Sequence, residues 1–182
     1  MAEATAWCNL RVALDELARV HQFMAMTISA SGFDLTPPTA QERARLEGGL
    51  NPEEREVLLH HGTEAAFCGG LLNQKKAGAY CCRLCGLPLF RQDTKFESGT
   101  GWPSFTGPLD PQHVVGIEDK SYGMRRVETR CARCDSHQGH VFPDGPRAAG
   151  GLRYCINSVS LAFVAEGEAL PDPLGRSERL AA

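Results

Sequence analysis

Four of the eight cysteines form two Cys-x-x-Cys pairs, Cys82/Cys85 and Cys131/Cys134, while Cys155 stands apart in the run Arg153-Tyr154-Cys155-Ile156-Asn157. The two groups suit different chemistry. Thiolates in a Cys-x-x-Cys knuckle close on one side of a metal ion, and two knuckles together can supply a tetrahedron of sulfur to Zn2+. An all-sulfur ligand set leaves no coordination position open, so such a zinc ion would be structural, clamping two distant hairpins. Gly86 and Asp135 each follow the second cysteine of a knuckle, and both residue types tolerate the turn conformations that aim backbone amides at thiolates. Cys81 could replace Cys82 at one-residue-longer spacing, but on a strand it would point to the opposite face.

Cys155 reads differently. If its apolar stretch is a strand, Arg153, Cys155 and Asn157 share one face, because side chains repeat with period two. The thiol would then sit between an amide and a cation able to lower its pKa. An isolated cysteine in an apolar strand can equally be a buried core residue. His137 and His140 are candidate proton donors, because a free imidazole titrates near neutral pH. As a His-x-x-His pair they could also be metal ligands, but no third ligand accompanies them. Trp102 and Phe142 are either core aromatics or an apolar wall.

The elements that must carry these residues change character along the chain. Leu10, Leu14, Leu17, Val20 and Met24 recur at helical spacing and predict one amphipathic helix; Met26 is a candidate start, and Ser29 through Pro38 reads as a linker. Asn51-Pro52-Glu53-Glu54 predicts a helix running to about His61, with Gly62 as its stop. Beyond Ala77, short runs rich in Val, Ile, Phe and Tyr predict strands at Ala79 to Arg83, Leu89 to Phe96, His113 to Glu118, Arg125 to Arg130, Gly139 to Phe142 and Leu152 to Val164. The expected fold is mainly β, an antiparallel sheet system with short N-terminal helices. The expected divisions are a helical and linker extension over 1–48, a β-rich domain over 49–166 and a loose tail over 167–182.

Composition restricts the partners. With 182 residues, 42% of them apolar, the chain can build one core. A net charge of −3 argues against a nucleic-acid partner, and the arginines from Arg125 to Arg133 read as a solvated strand face. No apolar run is long enough to span a bilayer, and the first residues lack the order of a secretory signal. The expected location is the cytoplasm, where eight cysteines point to metal binding or thiol chemistry rather than disulfides.

Three further runs stand beside the knuckles and Cys155: Phe96-Glu97-Ser98-Gly99-Thr100-Gly101-Trp102-Pro103-Ser104-Phe105, His137-Gln138-Gly139-His140-Val141-Phe142-Pro143-Asp144-Gly145-Pro146, and Gly62-Thr63-Glu64. Together they resemble the methionine-R-sulfoxide reductase (B-type) family over nearly two-thirds of the chain, from about Asn51 to about Phe163. The resemblance implies a mainly β fold of two antiparallel sheets stabilised by the four-cysteine zinc site, with 49–166 as the catalytic domain, whose cysteine, at Cys155, reduces the R epimer of methionine sulfoxide in oxidised proteins. It also implies His140 as first choice for the proton donor, with His137, Asn157 donating to the same oxygen, Arg153 beside the thiol, and Trp102 and Phe142 around the substrate methyl. Many members carry a recycling cysteine where this chain has Thr100. The candidates that remain are Cys68, Cys81 or an external thiol, with thioredoxin or a similar dithiol as the final donor and a monomer as the working unit. Gln138 stands where the family usually has Leu. The alternative reading is a non-catalytic zinc-bound module that binds a protein or nucleic acid.

Overall fold

The computed structural model describes residues 28–123 and 125–176. The helix expected over Leu10 to Met24 lies outside them, as does the tail beyond 176. Helix α1 (Ala40–Gly48) starts at a capping box in which Thr39 and Glu42 each accept the other's backbone N–H. Helix α2 (Pro52–His60) uses the same device on Asn51 and Glu54, with Pro52 in the first turn. The expected stop at Gly62 falls one residue earlier, on His61, which takes the left-handed conformation (φ 60°, ψ 30°).

Nine strands follow: β1 (Gly78–Cys82), β2 (Pro88–Arg91), β3 (Lys95–Phe96), β4 (Ser104–Phe105), β5 (Val114–Asp119), β6 (Arg126–Cys131), β7 (His137–Phe142), β8 (Arg153–Ile156) and β9 (Leu161–Ala165). They pair antiparallel in two sheets, ordered β2-β1-β9 and β3-β4-β8-β7-β6-β5. Two expected strands are each two shorter ones. The stretch Leu89 to Phe96 is broken by a 3-10 turn at Gln92–Thr94, and Leu152 to Val164 by one at Ser158–Ser160. Both turns are corners at which the chain passes from one sheet to the other. An apolar run that continues around such a corner carries no sign of it beyond a few polar residues.

The core lies between the sheets. Phe90 stacks on Phe105 at 4.5 Å between ring centroids, and Tyr80 meets Phe105 edge-on at 5.0 Å. On β8, Tyr154 and Ile156 enter this core, so Arg153 and Cys155 must face the other way.

The segments expected as linker and loose tail are held by polar contacts. Ser29 and Ser31 bond to His113, and Ser31 also to Asp110. Arg133 donates to the Asp34 carbonyl at 2.7 Å. Leu174 is buried, and Arg176 donates to the Thr36 carbonyl and to Glu42. No helix among the described residues is long and apolar enough to cross a membrane.

Phe105→Ala should cost about 3–5 kcal/mol of unfolding free energy, because it opens a cavity beside the Tyr80 and Phe90 rings. Gly86→Ala should cost at least ~1 kcal/mol: its φ is +76°, and a Cβ there would lie 2.4 Å from the Pro171 carbonyl oxygen. Urea denaturation of both variants measures these values.

Candidate active site

The four knuckle sulfurs converge. Cys82 and Cys85 belong to the end of β1 and its turn, Cys131 and Cys134 to the end of β6 and its turn, and all four Sγ atoms lie within 4.8 Å of one another. The contacts between knuckles are 3.6 Å for Cys82 to Cys134 and 3.5 Å for Cys85 to Cys131. Zinc–sulfur bonds of about 2.3 Å in a tetrahedron set sulfurs about 3.8 Å apart, so the donor set fits a zinc-sized ion. The turns match: Gly86 N–H donates to Cys82 O and Asp135 N–H to Cys131 O, and both Gly86 and Asp135 have left-handed φ. Gln138, fully buried, donates to Ser136 Oγ at 2.9 Å and lies 3.7 Å from Cys82 Sγ. It therefore serves the sulfur cluster, filling its buried place with an amide donor.

Cys155 lies on the outer face of the six-stranded sheet, directly opposite His140 of β7 and Ser104 of β4. The next strand continues the row, since Glu128 of β6 is opposite His140. A chain of hydroxyls, Ser104 to Ser98 to Thr100, runs beside the thiol, and Thr100 Oγ1 is 4.0 Å from Cys155 Sγ. Burial pushes the Cys155 thiol up, while Arg153 and Thr100 pull it back without overcoming burial.

Each cationic or imidazole group on this face is held by a carboxylate. Arg153 makes two bonds to Asp144, at 2.8 and 2.9 Å, and lies over the Phe142 ring at 4.6 Å. His140 Nε2 bonds Asp119 at 2.9 Å, so its Nδ1 is the nitrogen open to a ligand. Burial lowers the His140 pKa and Asp119 opposes that. His137, 1% exposed, bonds Glu128 Oε1 through Nδ1 at 2.6 Å. None of these carboxylates was singled out from the sequence: Asp119, Glu128 and Asp144 find their partners through strand register and a loop, not through a motif. A buried imidazole or guanidinium demands an acceptor, but only the fold says which.

Asn157 makes two contacts within the protein. Its side-chain carbonyl accepts from Glu64 N–H and its amide donates to the Gln138 carbonyl, both at 3.1 Å. Glu64 in turn caps the corner after β8, accepting from the Ser158 and Val159 amides, and its own carbonyl accepts from Trp102 Nε1. The loop that carries Cys68 is thereby fastened beside the thiol face. Phe67 N–H donates to Gly101 O, one residue from Thr100. Gly69 lies so close to Ser158 that a Cβ would sit 2.1 Å from its hydroxyl. Cys68 is exposed, whereas Cys81 is buried on β1 with its thiol pushed up to about 12 by burial.

A strand cysteine directly opposite a carboxylate-backed imidazole, on a β body in which four cysteine sulfurs converge, fits a cysteine-dependent oxidoreductase. The comparisons narrow that class. The family model described as SelR domain matches residues 50–165. The peptide methionine sulfoxide reductase MsrB of Caulobacter vibrioides (strain NA1000 / CB15N) is 69% identical over 156 residues, which cover 86% of this chain and 98% of the relative. Its namesake in Xylella fastidiosa (strain M23) is 56% identical over 80% of this chain and 94% of its own. That of Escherichia coli O45:K1 (strain S88 / ExPEC) is 49% identical over 72% and 92%. The chain belongs to the SelR-domain, or MsrB, family.

The Glu128 carboxyl lies well below the usual carboxylate range: burial pushes it up, but hydrogen bonds from His137, Arg130 and His61 more than offset this. A carboxyl depressed in the folded state stabilises the fold above its unfolded value of about 4.3, and that contribution fades as pH falls below it. The stability gap between wild type and Glu128→Gln should therefore narrow from pH ~6 to pH ~3 in urea titrations.

Proposed function

We propose that the protein is a peptide-methionine (R)-S-oxide reductase that repairs oxidised proteins, with Cys155 as the nucleophile. The observation that carries the reading is the register that puts Cys155 beside His140 on the open face of a sheet whose other face is core.

The thiol gives its proton to an imidazole, and Sγ attacks the sulfoxide sulfur. His140 is the first candidate: Asp119 fixes Nε2, which leaves Nδ1 to take the thiol proton and pass it to the sulfoxide oxygen. The oxygen ends on Cys155 as a sulfenic acid, and methionine leaves as the thioether. Two electrons move from the cysteine to the substrate sulfur. His137 stands beside His140, with ring centroids 5.4 Å apart, as a second proton-exchanging group. Arg153 favours the thiolate as it forms. Trp102 and Phe142 supply aromatic surface on which the substrate's terminal methyl packs. Asn157 acts by fastening the Glu64 loop to β7.

A second thiol then displaces hydroxide from the sulfenic sulfur, releasing water and leaving a disulfide. Cys68 is assigned this step: it is exposed, and its loop packs on Gly101 next to the Thr100 hydroxyl that neighbours Cys155. Thioredoxin or a similar dithiol reduces the disulfide. Cys82, Cys85, Cys131 and Cys134 hold one Zn2+ that clamps the sheets and takes no part in the redox chemistry. The proposed location is the cytoplasm, where cysteines serve metal binding and thiol chemistry. The working unit is a monomer.

Metal analysis should find one zinc per chain, and Cys131→Ser should lose it together with the cooperative thermal transition. Turnover of separated methionine sulfoxide epimers in a peptide tests the reaction. Wild type should reduce only the R epimer, and Cys155→Ser should lose at least ~10³-fold in rate with either reductant. Cys68→Ser should keep its rate with dithiothreitol and lose it with thioredoxin. A zinc-loaded wild type inactive on both epimers would sink the enzyme and leave a binding module.

A further inference from the structure

The carboxylate of Glu128 is shared in an unusual way. His137 Nδ1 and His61 Nδ1 both lie 2.6 Å from the same oxygen, Oε1. An ionised carboxylate oxygen only accepts, so each of these nitrogens carries a proton. In His137 that leaves Nε2 as the nitrogen that can exchange one, and Nε2 is buried without a protein partner. Such an atom is costly to leave unfilled, which points to a group that arrives with the substrate.

His61 carries a second mark. It ends α2 at φ 60°, a conformation usually taken by Gly or Asn, and Gly62 is the very next residue. Here the imidazole reaches across 67 positions of sequence to Glu128 while 46% of its side chain faces solvent. The charged and titratable groups around the pair are few. Arg130 of β6 donates to Glu128 Oε2 at 2.8 Å and is itself held by Asp135; His140 of β7 faces the His137 ring. Glu128, His140 and Cys155 stand in one row across three neighbouring strands.

We propose that Glu128 and His61 are positioning residues of the sulfoxide reaction: Glu128 keeps the proton of His137 on Nδ1 and so assigns proton exchange with the bound sulfoxide to Nε2, while His61 holds the same carboxylate oxygen from the solvent side. Two fixed donors on Oε1 prevent the carboxylate from turning away and the imidazole from flipping. A flipped ring would present a carbon to the substrate where a nitrogen is needed. The chemistry rests on the reductase reading; the ring assignment does not.

Two measurements on zinc-loaded protein test it. In nitrogen–proton correlation spectra, His137 of the wild type should be protonated at Nδ1, and Glu128→Ala should lose that preference. A wild-type ring protonated only at Nε2 overturns the inference whatever the protein's activity. In turnover of the R epimer with dithiothreitol, Glu128→Gln should lower kcat ~10- to 100-fold with KM within about twofold, and Glu128→Asp should recover part of the loss. His61→Asn, which keeps a residue at ease in the left-handed region, should lower kcat about two- to fivefold with the melting temperature unchanged. A Glu128→Gln enzyme within twofold of wild-type kcat, with the wild-type acid limb in its pH profile, overturns the positioning role. If the wild type reduces neither epimer, the reductase reading fails instead, and the spectrum alone decides the ring assignment.

Discussion

The meeting of four sulfurs at the ends of β1 and β6 is the constraint on which the rest of the structure depends. β1 is the central strand of the smaller sheet and β6 lies inside the larger one, so the cluster is where the two sheets are tied. Other segments anchor to the same place: Arg43 of α1 donates to the Cys134 carbonyl, and Arg133 donates to the carbonyls of Cys85 and Asp34. A zinc ion held there would link residues far apart in sequence and so remove much of the unfolded chain's freedom, since a metal clip is most effective when its loop is long. Strand β7 then pairs with β6 and β8 with β7, so the position of Cys155 is inherited strand by strand from the clamp.

On that frame the electrostatics follow one rule. Every imidazole or guanidinium on the thiol face is oriented by a carboxylate, Asp119 for His140, Glu128 for His137 and Asp144 for Arg153. Buried donors without acceptors would be costly, and the pairing also decides which nitrogen of each ring is left for chemistry. Cys155 has no such partner. Burial pushes its thiol up, and Arg153 opposes that.

The loop from His61 to Gly70 joins these two systems. Glu64 caps the corner between β8 and β9, supports Trp102 and anchors Asn157, while Gly69 packs on Ser158 with no room for a side chain. Phe67, 69% exposed and with φ +65°, and the exposed Cys68 project from this fastened base. Motion of Cys68 toward Cys155 would then come from the residues on either side of Gly69 rather than from that glycine.

Much of this was readable in the chain. Knuckle spacing located the sulfur cluster, because two-residue gaps bring thiols to one side of an ion whatever the surrounding fold. Helix α2 was legible from Asn51 and Pro52, and period-two alternation put Arg153 and Cys155 on one face of β8 opposite Tyr154 and Ile156. Those are local properties, set by backbone geometry over a few residues. The corners at Gln92–Thr94 and Ser158–Ser160, the row Glu128, His140, Cys155 and Ser104, and the carboxylate behind each imidazole were not local. They depend on which strand lies beside which and in what register. That was decided only when the aromatic core around Phe90, Phe105 and Tyr154 brought distant segments together, because a hydrogen bond across 67 residues leaves no mark on the sequence at either end.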